Sequence, residues 1–319
     1  MSDNHGDGLM PDGVMDRNLW ISAALNVLIT MAELVGGVLS GSLALLSDAA
    51  HNLSDVAAVT VALGARRLSR LPPTTRHTYG FKRAEVMAAL GNAVVLIGVT
   101  VLIAREAILR LYHPEPVAQG VMLTVALVAL VANLGSVLLL RRHEKDDVNV
   151  RSAFLHLAQD ALASLAVVVA ALLARTRVGP YVDPAAAVLV GLAVLRSALS
   201  LAMETLSTLL EGVPREIDLE MLAQSVEDNF EPFQLHHVHL WQNGPGQRLL
   251  TAHVTVDGNM TGRSIEALLT GIKGFLQEKW QVSHATLEPE VARCSDPSLL
   301  GRWEEPCCGP RPEGGIHPR

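Results

Sequence analysis

Cysteine is scarce. The chain has three, all beyond position 290, which excludes a disulfide framework as the source of the fold. Positive charge is in deficit too. The formal net charge is −7, so nothing in the charge balance points to a nucleic-acid partner. The first 16 residues are acidic and polar. They lack the basic start and short apolar stretch of a cleaved secretory signal, so the first hydrophobic run is expected to stay in the protein. No GxxxxGK[ST] loop and no HExxH motif occurs, which argues against a phosphate-cradling ATPase loop and against the best-known zinc-protease signature.

What the chain has in quantity is apolar sequence. Half of its 319 residues are hydrophobic and 18% are charged, and mean hydropathy is positive. The apolar residues gather in runs of about 20, the length that crosses roughly 30 Å of hydrocarbon. The runs predict six transmembrane helices at 17–40, 43–67, 84–110, 118–140, 151–174 and 182–206. The second connection, RRLSRLPPTTRHTYGFKR, holds six Lys/Arg and the fourth, RRHEKDDVNVR, holds four. By the positive-inside rule these connections face the cytoplasm, and so do both termini; Arg105, Arg110, Arg175 and Arg177 blur the opposite side. Arginine far outnumbers lysine among abundant Ala, Val and Leu, as in GC-rich bacterial genomes, which suggests the bacterial inner membrane.

Past EGVP the pattern becomes that of an aqueous domain. Pro214 suits a helix start, and 215–229 reads as a short amphipathic helix. QLHHVHLWQN and RLLTAHVTVDG read as strands joined at GPG. A helix follows at 263–279, and then a strand at VSHATLEPE. The order αββαβ predicts a small α+β layer with helices on one face of a three-stranded sheet. The expected organisation is a polar leader 1–16, a six-helix transmembrane domain 17–210, a cytoplasmic α+β domain 211–291 and a disordered Pro/Gly-rich tail 292–319.

The membrane domain carries an expensive feature. LSDAAHNLSD places Asp48, His51 and Asp55 in an apolar helix, where each ionisable group costs several kcal/mol unless compensated. His51 and Asp55 are four residues apart and share a face. HLAQD in the fifth span repeats the device with His156 and Asp160. On antiparallel helices His51 lies level with Asp160, and Asp55 with His156. Two imidazoles and two carboxylates at one depth suit tetrahedral coordination of a borderline divalent ion, zinc above all. A structural hydrogen-bonded pair explains one such motif, but matched pairs on two spans are hard to explain that way. Asp48, one turn from His51, is an alternative ligand or an accessory for ion entry. Asn26, Glu33, Asn92, Asn133 and Asp183 read as interhelical hydrogen bonders or cavity lining. His5 stands alone in the leader.

GSLALLSDAAHNLSD, RHTYGFKRAE, HLAQDALASL, VDPAAAVLVG, LLEGVP and HHVHLW…LTAHV together resemble the cation diffusion facilitator family, over about residues 17–291. The resemblance implies a homodimeric divalent-metal transporter with six transmembrane helices and a cytoplasmic metallochaperone-like domain. It carries the transport-ligand role to His51, Asp55, His156 and Asp160, the histidine-containing version that goes with zinc. It further implies a cytoplasmic metal site at His236, His253, His284 and Glu290 at the dimer interface, and a loop site at His77, against which stands a solvated loop histidine. Strand alternation puts His237 and His239 on the face opposite His236; His239 and Trp241 read as packing. Arg83 and Glu211, at the ends of spans three and six, are candidates for a charge interlock. Cys294, Cys307 and Cys308 are candidates for soft-cation capture or idle thiols.

The implied function is export of Zn²⁺, with other divalent cations open, in exchange for protons by alternating access, with zinc also a regulatory ligand and no organic cofactor. The expected partners are divalent ions, protons, lipid and a second copy of the chain, with no nucleic acid. A membrane metal sensor without transport is the first alternative. An intramembrane metalloenzyme is the second; it would keep an open coordination position and a separate base or nucleophile.

Overall fold

The structure is a computed structural model of the chain, and it describes the backbone of residues 12–140, 148–230, 232–291 and 299–300. His5, Cys294, Cys307 and Cys308 lie outside the described residues, as do most of the expected leader and tail. Six long helices come first: α1 (Asp12–Ser40), α2 (Leu43–Ser69), α3 (Arg83–Tyr112), α4 (Gln119–Leu140), α5 (Val148–Leu173) and α6 (Gly179–Leu209). Then follow α7 (Leu219–Asn229), β1 (Leu235–Gly244), β2 (Gln247–Thr255), α8 (Gly262–Trp280) and β3 (Val282–Glu290).

Each expected span lies on one of the six helices. Four of them, α3 to α6, contain stretches long and apolar enough to cross a membrane. In α1 the described apolar stretch is the shorter Leu25–Ser40. α2 misses that standard because the polar groups of LSDAAHNLSD interrupt it.

The chain divides into two compact units. The first comprises the chain through Val61 and Gly91–Ala202. Its core is built of small side chains: Ala44, Ala126, Ala170, Ala171 and Ala187 are essentially buried around Leu45, Met122 and Val167. Small residues let helix backbones approach closely where no hydrophobic effect drives association. At Gly36 a Cβ would stand 2.6 Å from Val125, so glycine sets the approach of α1 to α4.

The N-terminus of α2 is held by another helix. Asp183 of α6, 2% exposed, accepts from Ser42 Oγ at 2.5 Å, from the Leu43 amide at 2.9 Å and from the Ala44 amide at 3.3 Å. A carboxylate at a helix N-terminus satisfies orphan amides and suits the dipole. Arg110 of α3 donates to the Gly41 carbonyl at 2.5 Å, in the turn before α2. Gly41 itself has φ +70°, a left-handed conformation that glycine adopts without steric cost. Asn92 donates to Ser54 at 2.9 Å and Asn133 to Ser164 at 3.2 Å, as expected of interhelical hydrogen bonders.

The second unit holds Ala62–Leu90 and the chain from Met203 on. Its sheet has the order β1-β2-β3, antiparallel between β1 and β2 and parallel between β2 and β3. A parallel neighbour needs a crossover, and α8 supplies it. Leu222, Val226, Ile272 and Leu276 from α7 and α8 pack on Val238, Leu240, Leu250 and Val254 of the sheet. α7 starts at Leu219 rather than next to Pro214, because Asp218 caps it by accepting from the Met221 amide. Arg83 and Glu211 meet at 2.7 Å within this unit, and Arg83 also donates to Asn243 of β1 at 3.2 Å.

Candidate metal centres

In the first unit α2 and α5 bring both HxxxD pairs together. His51 Nε2 lies 3.7 Å from Asp160 Oδ1 and 3.8 Å from Asp55 Oδ2. His156 Nε2 lies 3.3 Å from Asp55 Oδ2 and 3.6 Å from Asp160 Oδ2. Each imidazole therefore faces one carboxylate on its own helix and one on the other, in the register that antiparallel helices predict. The two rings meet edge-on, with centroids 5.9 Å apart.

These separations are long for hydrogen bonds, and Asp55 Oδ2 and both Asp160 oxygens are buried without a hydrogen-bond partner among the described residues. They do match the edge of a coordination tetrahedron. Donor atoms about 2.0–2.1 Å from a four-coordinate zinc stand about 3.3–3.4 Å from one another. His51, His156 and Asp160 alone already meet the geometric requirement for a shared ion. Asp160 is the most enclosed of the four, with its side chain 1% exposed, while His156 is 40% exposed. A cavity of about 470 Å³ opens beside the cluster, lined by His51, Gln159, Asp160, Leu189, Val190 and Arg196 among others. Asp48 is not in the cluster. It is buried one turn away, accepting from Ser164 Oγ at 3.4 Å.

The second unit holds another group: His236, His253 and Glu290. His236 and His253 are direct cross-strand partners on β1 and β2. Glu290, at the end of β3, reaches both, at 3.0 Å from His236 Nε2 and 2.9 Å from His253 Nδ1. Burial pushes the His236 imidazole below its ordinary pKa, against the opposing pull of Glu290. Burial, and then the neighbouring His237 and His253, lower His239 as well.

The arrangement in this chain differs from two expectations. Within the single chain His284 lies apart from the group. It is exposed and pairs in register with Leu249, six residues from Glu290 and so about 20 Å along the strand. His237 does not lie on the face away from His236. A register shift between His236 and His239, with His237 at φ 49°, breaks the alternation and brings the His237 ring to 5.4 Å from His236 and 5.0 Å from His253. Sequence reasoning also missed Glu288, which stands opposite His253 in register and 3.7 Å from its Nε2. The signal for Glu288 was the ExE spacing with Glu290.

His77 belongs to neither group. It is exposed, with its ring against Phe81 at 4.6 Å and its Nδ1 3.5 Å from Thr74 Oγ1.

A family model described as the cation efflux transmembrane domain matches residues 19–210, and one described as the cation efflux protein cytoplasmic domain matches 214–291. The chain belongs to the cation diffusion facilitator family. Among relatives of this cation efflux family, the zinc transporter ZitB of Pectobacterium atrosepticum is 42% identical over 268 residues, 83% of this chain and 82% of the relative. The zinc transporter ZitB of Escherichia coli is 39% identical over 298 residues, 93% and 94% of the two chains. A cadmium, cobalt and zinc/H⁺-K⁺ antiporter of Bacillus velezensis is 36% identical over 262 residues, 82% and 83%. As a family member the chain is an integral membrane cation exporter and not an enzyme.

Proposed function

We propose that this cation efflux protein exports Zn²⁺ from the cytoplasm in exchange for protons, with His51, Asp55, His156 and Asp160 as the four ligands that carry the ion. The observation that carries this reading is the set of four nitrogen–oxygen separations between 3.3 and 3.8 Å, close to the edge of a zinc tetrahedron. Two imidazoles among the ligands favour zinc over the harder divalent ions.

Metal binds deprotonated ligands, so binding expels protons and protonation expels metal. A site open to the cytoplasm captures Zn²⁺. The same site turned to a more acidic exterior takes up protons and lets the ion go. Six helices α1–α6 spanning the bilayer, with both termini cytoplasmic, fit the Lys/Arg bias of the second and fourth connections. A bacterial inner membrane and a transport domain of 17–210 followed by a cytoplasmic domain of 211–291 complete the arrangement, and the chain works as a homodimer.

His236, His253 and Glu290 form the regulatory zinc site of the cytoplasmic domain, with Glu288 beside it. Zinc there biases the transport equilibrium through its preference for one of two states. The Arg83–Glu211 pair with Asn243 ties the start of α3 to the end of α6 and to β1. The test of the transport reading is zinc uptake by proteoliposomes under an imposed pH gradient. Asp160→Ala should abolish uptake while the protein still inserts; full flux in that variant would overturn the ligand assignment.

A further inference from the structure

One helical turn from the four-residue cluster lies a second set of buried polar groups that metal coordination does not use. Glu33 of α1 is 0% exposed and Asp48 of α2 1% exposed, and Asp48 lies one turn before Asn52 on the same face of α2. Asn52 Nδ2 donates to Glu33 Oε2 at 2.8 Å. Asn133 Nδ2 donates to Ser164 Oγ at 3.2 Å, which leaves the Ser164 hydroxyl to donate to Asp48 Oδ2 at 3.4 Å.

After these bonds, three acceptors have no donor among the described residues: Glu33 Oε1, Asp48 Oδ1 and Asn52 Oδ1. The further charge that acts on both carboxyls is Asp160 of α5, which is also acidic; Asn133 of α4 is neutral. Two neighbouring carboxyl groups, out of water and with no Lys or Arg partner among the described residues, cannot both be bare anions. A positive particle has to lie between them. The available donors are all oxygen, and Asn52 Oδ1, at 1% residue exposure, is a third oxygen with nothing else to bind. Such a set suits a proton or another hard cation, and suits zinc less well than the imidazole cluster does.

We propose that Glu33, Asp48 and Asn52 form the counter-cation site of this transporter, holding one hard monovalent cation, a proton shared between the two carboxyls, while the zinc ligands are vacant. This deepens the zinc–proton exchange proposed above and rests on it. Arrival of Zn²⁺ at His51 and Asp160 puts two positive charges one turn away and drives the counter-cation out. Its return lowers the cost of losing the metal. The coupling is electrostatic and runs through Asp160, so the pair sets the drive for transport without itself ligating zinc.

Full-length protein in proteoliposomes provides two readouts. One is uphill zinc accumulation driven by a pH gradient. The other is zinc–zinc exchange at equal pH, which needs the ligands but no counter-cation. Glu33→Gln/Asp48→Asn should keep exchange within about threefold of wild type and lose at least about tenfold of the pH-driven accumulation. Asp48→Asn alone should lose the driven accumulation and keep exchange, and Asp48→Glu should retain both, because it keeps a carboxyl. Asp160→Ala should lose both readouts. If a K⁺ gradient drives accumulation in wild type and not in the double variant, the site stands with an alkali ion as occupant.

pH-driven accumulation near the wild-type level in the double variant would overturn the proposal. So would failure of Asp48→Glu to recover what Asp48→Asn loses, or exchange and accumulation falling together in both Asp48 variants. Wild-type protein that accumulates zinc under neither gradient would instead remove the exchange reading on which the proposal rests.

Discussion

Asp183 offers the sharpest test of how α2 is held. Its carboxylate accepts three hydrogen bonds, from Ser42 Oγ and from the Leu43 and Ala44 amides, all in a buried pocket. Hydrogen bonds to a charged group contribute about 1.5–3 kcal/mol each. They are not additive, and the carboxylate's own burial offsets part of the gain. Loss of an ordinary N-cap costs about 0.5–2 kcal/mol; here the capping residue comes from another helix, and its removal also leaves a buried hydroxyl short of its acceptor. Asp183→Ala should therefore destabilise the membrane unit by about 3 kcal/mol, and Asp183→Asn, which keeps one acceptor oxygen, by about half as much. At about 2–4 °C per kcal/mol, the apparent unfolding midpoint of detergent-solubilised protein, followed by helical circular dichroism, should fall by roughly 6–12 °C for the alanine. The same loosening should weaken zinc binding, because α2 carries two of the proposed ligands. A midpoint shift under about 2 °C for Asp183→Ala would refute the argument that this contact anchors α2.

Other outcomes follow from the second unit. His236 has a lowered pKa through burial, so the folded state favours the neutral imidazole. Its contribution to stability is present above the unfolded value of about 6.5 and is lost as pH falls through the lower folded value; metal-free stability measured by denaturant titration should decline in that window, and His236→Gln should flatten the decline. Glu290→Gln should reduce zinc binding at the cytoplasmic site by at least about tenfold in competition titrations, since Glu290 reaches both histidines, whereas His284→Ala should leave the single-chain site unchanged. Gln281, at φ 56° in the left-handed C-cap of α8, should gain up to about 1 kcal/mol of stability on replacement by glycine, read as a raised denaturation midpoint.

The membrane cluster could be read in the sequence because i,i+4 spacing places His51 over Asp55, and His156 over Asp160, whatever the rest of the chain does. Antiparallel spans then fix which residue meets which. The αββαβ order was equally readable, since Asn-, Pro- and Gly-bearing turns separate its periodic segments. The cytoplasmic cluster was harder. A bulge at His237 brings a third imidazole beside it, and strand alternation has no means of anticipating one. His284 shares the alternation phase of Glu290 but lies too far along β3 to meet it, while Glu288 meets His253 through a register that no local signal announces. Asp218 as the cap of α7 was hidden behind Pro214, the more conspicuous start signal. α2 shows the reverse effect: the polar residues that lower its apolar character are the ones that give it its half of the His/Asp cluster.

The central claim is that two imidazoles and two carboxylates carry zinc across the membrane against a proton flow. The direct measurement is zinc uptake into proteoliposomes with an imposed pH gradient, comparing wild type with His51→Ala and Asp160→Ala. The account predicts gradient-dependent uptake by wild type and none above protein-free vesicles for either variant. Undiminished uptake in both variants, or wild-type uptake indifferent to the gradient, would contradict it.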